Sequence, residues 1–336
     1  MGKNRIYYID CLKGYAIILV VLGHIFDGYI KSGYFLEKQD FMCGGFNIIY
    51  SFHMALFFII SGFVYSKAYI QEDGTSKATL KTQLFNIVVI YFIFSLLFGV
   101  FKIICSSHTN VDVEPIDLLL LWLKTINPYW YLYVLAILYL LFSKGIIKHI
   151  TKVTTIVILF IITFLSNYIP HTIGGYFEIK HIFYYAAFFG FGIAISKSEE
   201  KYHSKERVLS SILFSISIII MVMDRDGFSI DGYNNGFTYW KRKYNLIIAL
   251  GISMFLIYIF RLAFSNGDYY RVKVLSFLGR YSLEIYVIHC IFTAGNRVVL
   301  SKLHIDNFYL NISINTLLSI GIPVVISLIC KKNRNT

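Results

Sequence analysis

Apolar residues run along this chain in stretches too long and too uniform for the surface helices of a water-soluble domain. A helix that crosses a bilayer needs about 20 mainly apolar residues, within a range of about 17–25. Runs of that kind fall at Gly14–Ile30, Gly45–Ser66, Leu84–Cys105, 118–142, Val153–Ile169, His181–Ser196, Val208–Met223, Tyr244–Leu262, Leu275–Gly295 and Phe308–Cys330. The fourth is taken from residue 118 because Leu118–Ile126 is itself apolar, and Asn127-Pro128 inside it reads as a kink or a re-entrant break. The pattern predicts an all-α polytopic membrane bundle of about ten transmembrane helices, forming a single domain over residues 1–336.

The polar breaks between the runs set the orientation. If the N-terminus is cytoplasmic, 20 of the 31 Lys and Arg residues lie in cytoplasmic segments, and every such segment carries at least three. Basic residues near span ends stay on the cytoplasmic side, so both termini are expected inside. Two segments on the other side, Ser106–Asp117 and Asp224–Lys243, are long and polar enough to face an extracytoplasmic substrate or to be solvated loops.

Composition narrows the class further. Hydrophobic residues make up 57% and charged residues only 15%, with a mean hydropathy of +0.64, more apolar than a soluble fold of this size can bury. The net charge of +12 sits in short loops, so nucleic acid is not an expected partner and membrane lipid is. The five cysteines, Cys11, Cys43, Cys105, Cys290 and Cys330, show no CxxC spacing and signal neither a disulfide framework nor a zinc site. Lys3, Arg5 and Lys13 precede an apolar run without a small-residue cleavage site, which reads as a first span rather than a cleaved signal.

Ionisable side chains at membrane depth are costly and therefore candidates for function. They are His24 and Asp27 in the first span, His53 in the second, and Glu284 and His289 in the ninth. On straight helices His24 lies about 16 Å above Lys13, and His53 about 12 Å below Gly45, or about 18 Å above the inner rim of a ~30 Å core. His289 lies about 19 Å above Ser276. Three histidines thus share one layer. Asp27, three residues after His24, is on nearly the same helical face and is expected to orient the imidazole or raise its basicity. A histidine-only zinc site would want an open position and supporting carboxylates; no HExxH or comparable spacing occurs, and no metal is expected. General-base catalysis, a proton relay and a structural role for the histidines remain open on the residues alone.

Several segments carry a resemblance. Tyr8-Ile9-Asp10-Cys11-Leu12-Lys13-Gly14 followed by Val20-Val21-Leu22-Gly23-His24 resembles the signature of the acyltransferase family 3 membrane proteins, in which a basic residue, ten intervening positions and a histidine occupy the first span. Phe52-His53-Met54-Ala55-Leu56-Phe57-Phe58-Ile59-Ile60-Ser61-Gly62-Phe63 looks like the second-span pattern of that family. Asn127-Pro128-Tyr129-Trp130-Tyr131-Leu132 and the stretch from Leu278 to His289 resemble its middle and late motifs. The first two are the more specific. The Asp-x-x-Lys-Gly form is most similar to the standalone sugar O-acetyltransferase branch, fucose 4-O-acetylase-like proteins among them. Two departures stand out: Lys13 replaces the arginine of many members, and the loop after the second span offers Lys67, Lys77 and Lys81 where some members carry an Arg-x-x-Arg pair.

The resemblance implies a multi-pass enzyme of a bacterial inner or plasma membrane. It would transfer an acetyl group from cytoplasmic acetyl-CoA, with no tightly bound cofactor, to a hydroxyl of a surface glycan or lipid-linked saccharide. His24, His53 and Asp27 are then the expected catalytic residues, and His24 either acts as general base or carries the acetyl group itself. Lys13, Lys77 and Lys81 would attract the CoA phosphates. Asp10, Ser61, Trp130, Tyr286, Glu284 and His289 would line the substrate path. A second copy of the chain or glycan-synthesis machinery is the expected protein partner. Two other classes fit the same residues: a proton-coupled exporter of a glycan or acylated metabolite, and an assembly subunit of a polysaccharide synthase.

Overall fold

The computed structural model describes residues 6–70, 77–104, 113–143, 153–170, 176–198, 203–224, 228, 233, 244–264 and 269–333. Cys105, most of the two long polar loops, and the basic residues Lys3, Arg5, Lys144, Lys148, Lys152, Lys201, Arg225, Lys241, Arg242, Lys243 and Arg334 lie outside them.

Among the described residues the regular structure is helical: α1 (Tyr7–Ser32), α2 (Gln39–Tyr69), α3 (Thr79–Ile104), α4 (Pro115–Leu119), α5 (Trp130–Ser143), α6 (Val153–Ser166), α7 (Ile179–Ser198), α8 (His203–Met223), α9 (Asn245–Phe264), α10 (Tyr269–Arg280), α11 (Ser282–Lys302) and α12 (Phe308–Asn333). Seven stretches are long and apolar enough to cross a membrane, running along α1, α2, α3, α7, α9, α11 and α12. Three shorter apolar helices, in α5, α6 and α8, stand where the fourth, fifth and seventh apolar runs lie. The chain is an all-α polytopic membrane bundle.

Two compact units can be distinguished. The first comprises residues up to Met54 and from Glu206 onward; the second is Ala55–Lys205, and α2 passes from one to the other.

In the first unit α1 is the central helix. Its N-terminal half lies backbone-to-backbone on α10: a Cβ on Gly14 would sit 2.0 Å from the Leu275 carbonyl oxygen, and one on Gly279 would sit 1.9 Å from that of Asp10. Where lipid surrounds the bundle no water is expelled by pairing two apolar faces, so close van der Waals contact between small residues holds such helices together. The glycines are what permit it. Farther along, the Tyr15 and Phe260 rings pack at 5.4 Å, and the buried Arg261 guanidinium of α9 lies over the Tyr8 ring at 5.5 Å.

The apolar run Leu275–Gly295, read from sequence as one span, is broken at Tyr281, whose φ of −102° and ψ of 13° depart from the helix. The part before the break is α10, a short helix committed to α1. The membrane helix α11 starts only at Ser282, so His289 stands about 10 Å along it rather than about 19 Å. In the second unit the same backbone approach recurs between α2 and α7, where Gly62 and Gly192 face the carbonyls of Phe189 and Ile59.

Candidate active site

The first unit collects three histidines. His24 comes from α1, His53 from α2 and His289 from α11. His53 is 2% exposed and His289 wholly buried. The His24 and His289 rings lie 5.1 Å apart, centroid to centroid. Tyr50, one turn before His53 on α2, has its ring 4.6 Å from His53 and 6.1 Å from His24, so the four rings form a string through the unit.

Hydrogen bonds fix the state of two of these rings. His289 Nδ1 lies 3.0 Å from the Ile285 carbonyl oxygen and 2.8 Å from that of Tyr286, and His53 Nδ1 lies 2.8 Å from that of Ile49. A carbonyl oxygen only accepts, so in each case Nδ1 carries the proton and donates. In the neutral ring Nε2 then keeps its lone pair. The Nε2 of His289 is 3.3 Å from Cys290 Sγ, which places the thiol as a donor to it. His24, His289 and Cys290 bring their donor atoms within 4.8 Å of one another. Two imidazoles and a sulfur are donor types that zinc accepts. The convergence comes from opposite ends of the chain, which is why spacing along the sequence gave no sign of it.

The two carboxylates of the first span and late motif are occupied. Asp27 takes the Lys31 ammonium at 2.6 Å and the Tyr233 hydroxyl at 2.8 Å. Tyr233 lies outside the spans, and burial, then the negative charge of Asp27, raises its pKa, so the phenol stays protonated and donates. Expected beside the imidazole, Asp27 thus ties α1 to the segment that holds Tyr233. Glu284, expected near His289 on the acceptor side, accepts from Lys331 at 3.0 Å and from Ser327 at 3.3 Å. It sits in the first turn of α11, about 7.5 Å along the helix from His289, and ties α11 to the end of α12. Tyr286 packs its ring 6.1 Å from that of His289. Asp10 and Lys13 lie on the turns of α1 that face α10, with Lys13 half-buried.

The other expected residues lie in the second unit. The Ser61 hydroxyl shares a 2.7 Å hydrogen bond with that of Tyr131. Trp130 stacks on His181 at 4.5 Å and on Tyr185 at 5.5 Å. His181 in turn bonds the Glu178 carboxylate, which also accepts from Thr125 at 2.5 Å. Lys77 donates to the Lys67 carbonyl at the end of α2 at 3.3 Å, and Lys81 is exposed.

A family model for an acyltransferase domain matches residues 6–331. The chain belongs to acyltransferase family 3. Membership makes it a membrane acyltransferase, and the match takes in every residue placed in this site. Comparison with curated proteins found no match, and neither did comparison with solved structures. Within this acyltransferase, sequence reasoning passed over Tyr50 and Cys290. Tyr50 was hidden among the many membrane aromatics. Cys290 had a sequence signal, its adjacency to His289, but scattered cysteines in a span are ordinarily small apolar packing residues.

Proposed function

We propose that this acyltransferase moves an acetyl group from cytoplasmic acetyl-CoA to a hydroxyl of a surface glycan or its lipid-linked sugar precursor, in the manner of the sugar O-acetyltransferase branch. The observation that carries the reading is the meeting of His24 with His289 inside the bundle, the latter a neutral ring that carries its proton on Nδ1. A buried neutral imidazole is the side chain suited to take a proton from a sugar hydroxyl near neutral pH.

In this reading the acceptor oxygen attacks the thioester carbonyl and its proton passes to His24. The carbon–sulfur bond breaks, and the departing CoA sulfur takes the proton back as a thiol. His289 and His53, both held by backbone carbonyls, position the reacting groups. Tyr50, between His24 and His53, supplies a phenol O–H suited to stabilise the oxyanion. Lys13, half-buried on α1, is the basic group assigned to the CoA phosphates in the first unit, serving as a point charge rather than a bidentate fork.

The test is ester-linked acetate on surface glycan, measured by NMR before and after mild alkali in cells carrying the wild-type protein, His24→Ala, or none. Loss of the ester in both altered strains with polymer retained is the expected result. Unchanged ester with reduced polymer export would replace the enzyme by an exporter.

A further inference from the structure

Beyond His289, polar residues continue up the same side of α11. Thr293, Asn296 and Arg297 follow at the spacings of a shared helical face. Arg297 is only 9% exposed. Its guanidinium donates to the backbone carbonyl of Gly28 on α1, and a Cβ at Gly28 would come within 3.0 Å of its Nη1, so the glycine makes the room.

Around it runs a polar network in which the amide groups bond one another. Asn296 donates to Asn315 at 3.3 Å and to Ser319 at 3.2 Å. Asn315 donates to the Tyr29 hydroxyl and to the Thr293 carbonyl, both at 3.2 Å. The Tyr29 hydroxyl donates to Asn311, which itself donates to the Ile305 carbonyl at 2.8 Å. These groups spend their hydrogen bonds on holding α1, α11 and α12 together.

Arg297 does not. A guanidinium has five N–H donors, and among the described residues it gives one hydrogen bond, to Gly28. The carboxylate whose field reaches it, Asp27, is already shared by Lys31 and Tyr233. Among the described residues one carboxylate thus faces two cations. A largely buried guanidinium whose remaining donors have no partner among the described residues is suited to an anion.

We propose that Arg297 binds an anionic group of the acceptor, paired oxygens of a phosphate or a carboxylate, and so places the acceptor hydroxyl at His24 and His289. Arg297 stands about 12 Å beyond His289 along α11, and its Gly28 contact about 6 Å beyond His24 along α1. The anion therefore binds beyond the acylated position, on a neighbouring part of the same acceptor. The assignment of an acceptor rests on the acyl-transfer reading; the anion site itself does not.

The experiment uses the full chain in uncharged phosphatidylcholine nanodiscs, with thermal unfolding followed in increasing inorganic pyrophosphate, glucuronate or glucose. The wild type is expected to be stabilised by pyrophosphate or glucuronate and not by glucose. Pyrophosphate alone would point to a sugar linked through phosphate, glucuronate alone to an acidic sugar. Arg297→Gln is expected to weaken anion binding at least about tenfold, and Arg297→Lys, which keeps the charge but loses the fork, by an intermediate factor. The Lys variant also covers the event that Arg297→Gln does not fold. His24→Ala should bind the anion as the wild type does. Equal stabilisation by glucose, or an undiminished anion response in both Arg297 variants, overturns the site. Surface ester unchanged in cells that lack the protein would overturn the acyl-transfer reading and leave the anion site standing.

Discussion

The His24 and His289 rings lie 5.1 Å apart inside the first unit, although they come from opposite ends of the chain. The geometry around His289 leaves Nε2 free of its own proton. Removing either ring should therefore cost rate more than fold. His24→Ala is expected to lower acyl transfer by about 10²–10⁴-fold. His289→Ala should lower it by a similar or smaller factor, with far-ultraviolet circular dichroism of the purified protein unchanged. Wild-type turnover in both variants would remove the histidine pair from the chemistry.

The approach of α1 to α10 makes a stability prediction with an internal control. Gly279→Ala would set a Cβ 1.9 Å from a backbone oxygen, which no rotamer change relieves, so a loss of about 1–3 kcal/mol is expected. At Gly295 an added Cβ meets nothing within 4 Å, and alanine there should be neutral or stabilising by about 0.5–1 kcal/mol. Thermal unfolding of the two variants in one detergent measures the contrast.

Glu284 is engaged by Lys331 and Ser327, with Lys331 largely exposed, and so ties α11 to α12. Glu284→Gln is expected to retain acyl transfer within about twofold and to shift stability by no more than about 1 kcal/mol. A large rise in KM for acceptor with unchanged stability would return Glu284 to the substrate path.

If the histidines act as base and positioning groups, the reaction needs no metal. Activity of purified protein should survive prolonged EDTA or 1,10-phenanthroline, and added zinc should not raise it. Inactivation by chelator that zinc reverses, and that Cys290→Ala abolishes, would convert His24, His289 and Cys290 into a metal centre.

Arg297→Gln should raise KM for a charged acceptor with little change in kcat, because the group it binds is remote from the reacting atoms. An uncharged acceptor analogue should be acetylated equally by variant and wild type. Steady-state kinetics with the two acceptors separates this from a general loss of fold.

What the sequence alone determined about this protein is what the bilayer dictates locally. A span must be long, apolar and helical because no water is present to satisfy its backbone, so the apolar runs marked the helices, and the few titratable residues within them marked His24, His53 and His289. The first-span and second-span motifs pointed to the family that the whole-chain match establishes. The tertiary structure alone decided which of those groups meet. Asp27 shares a helical face with His24, yet its oxygens go to Lys31 and Tyr233. Glu284 shares a helix with His289 but is drawn to α12. The break at Tyr281 lies in an apolar run that hydropathy reads as continuous. Cys290, Tyr50 and Arg297 became candidates only when α1, α2 and α11 were packed. Hydropathy records the solvent each residue prefers, whereas the partner of a buried polar group is set by which helix face lies opposite, and that is fixed by backbone approach at positions such as Gly14 and Gly279.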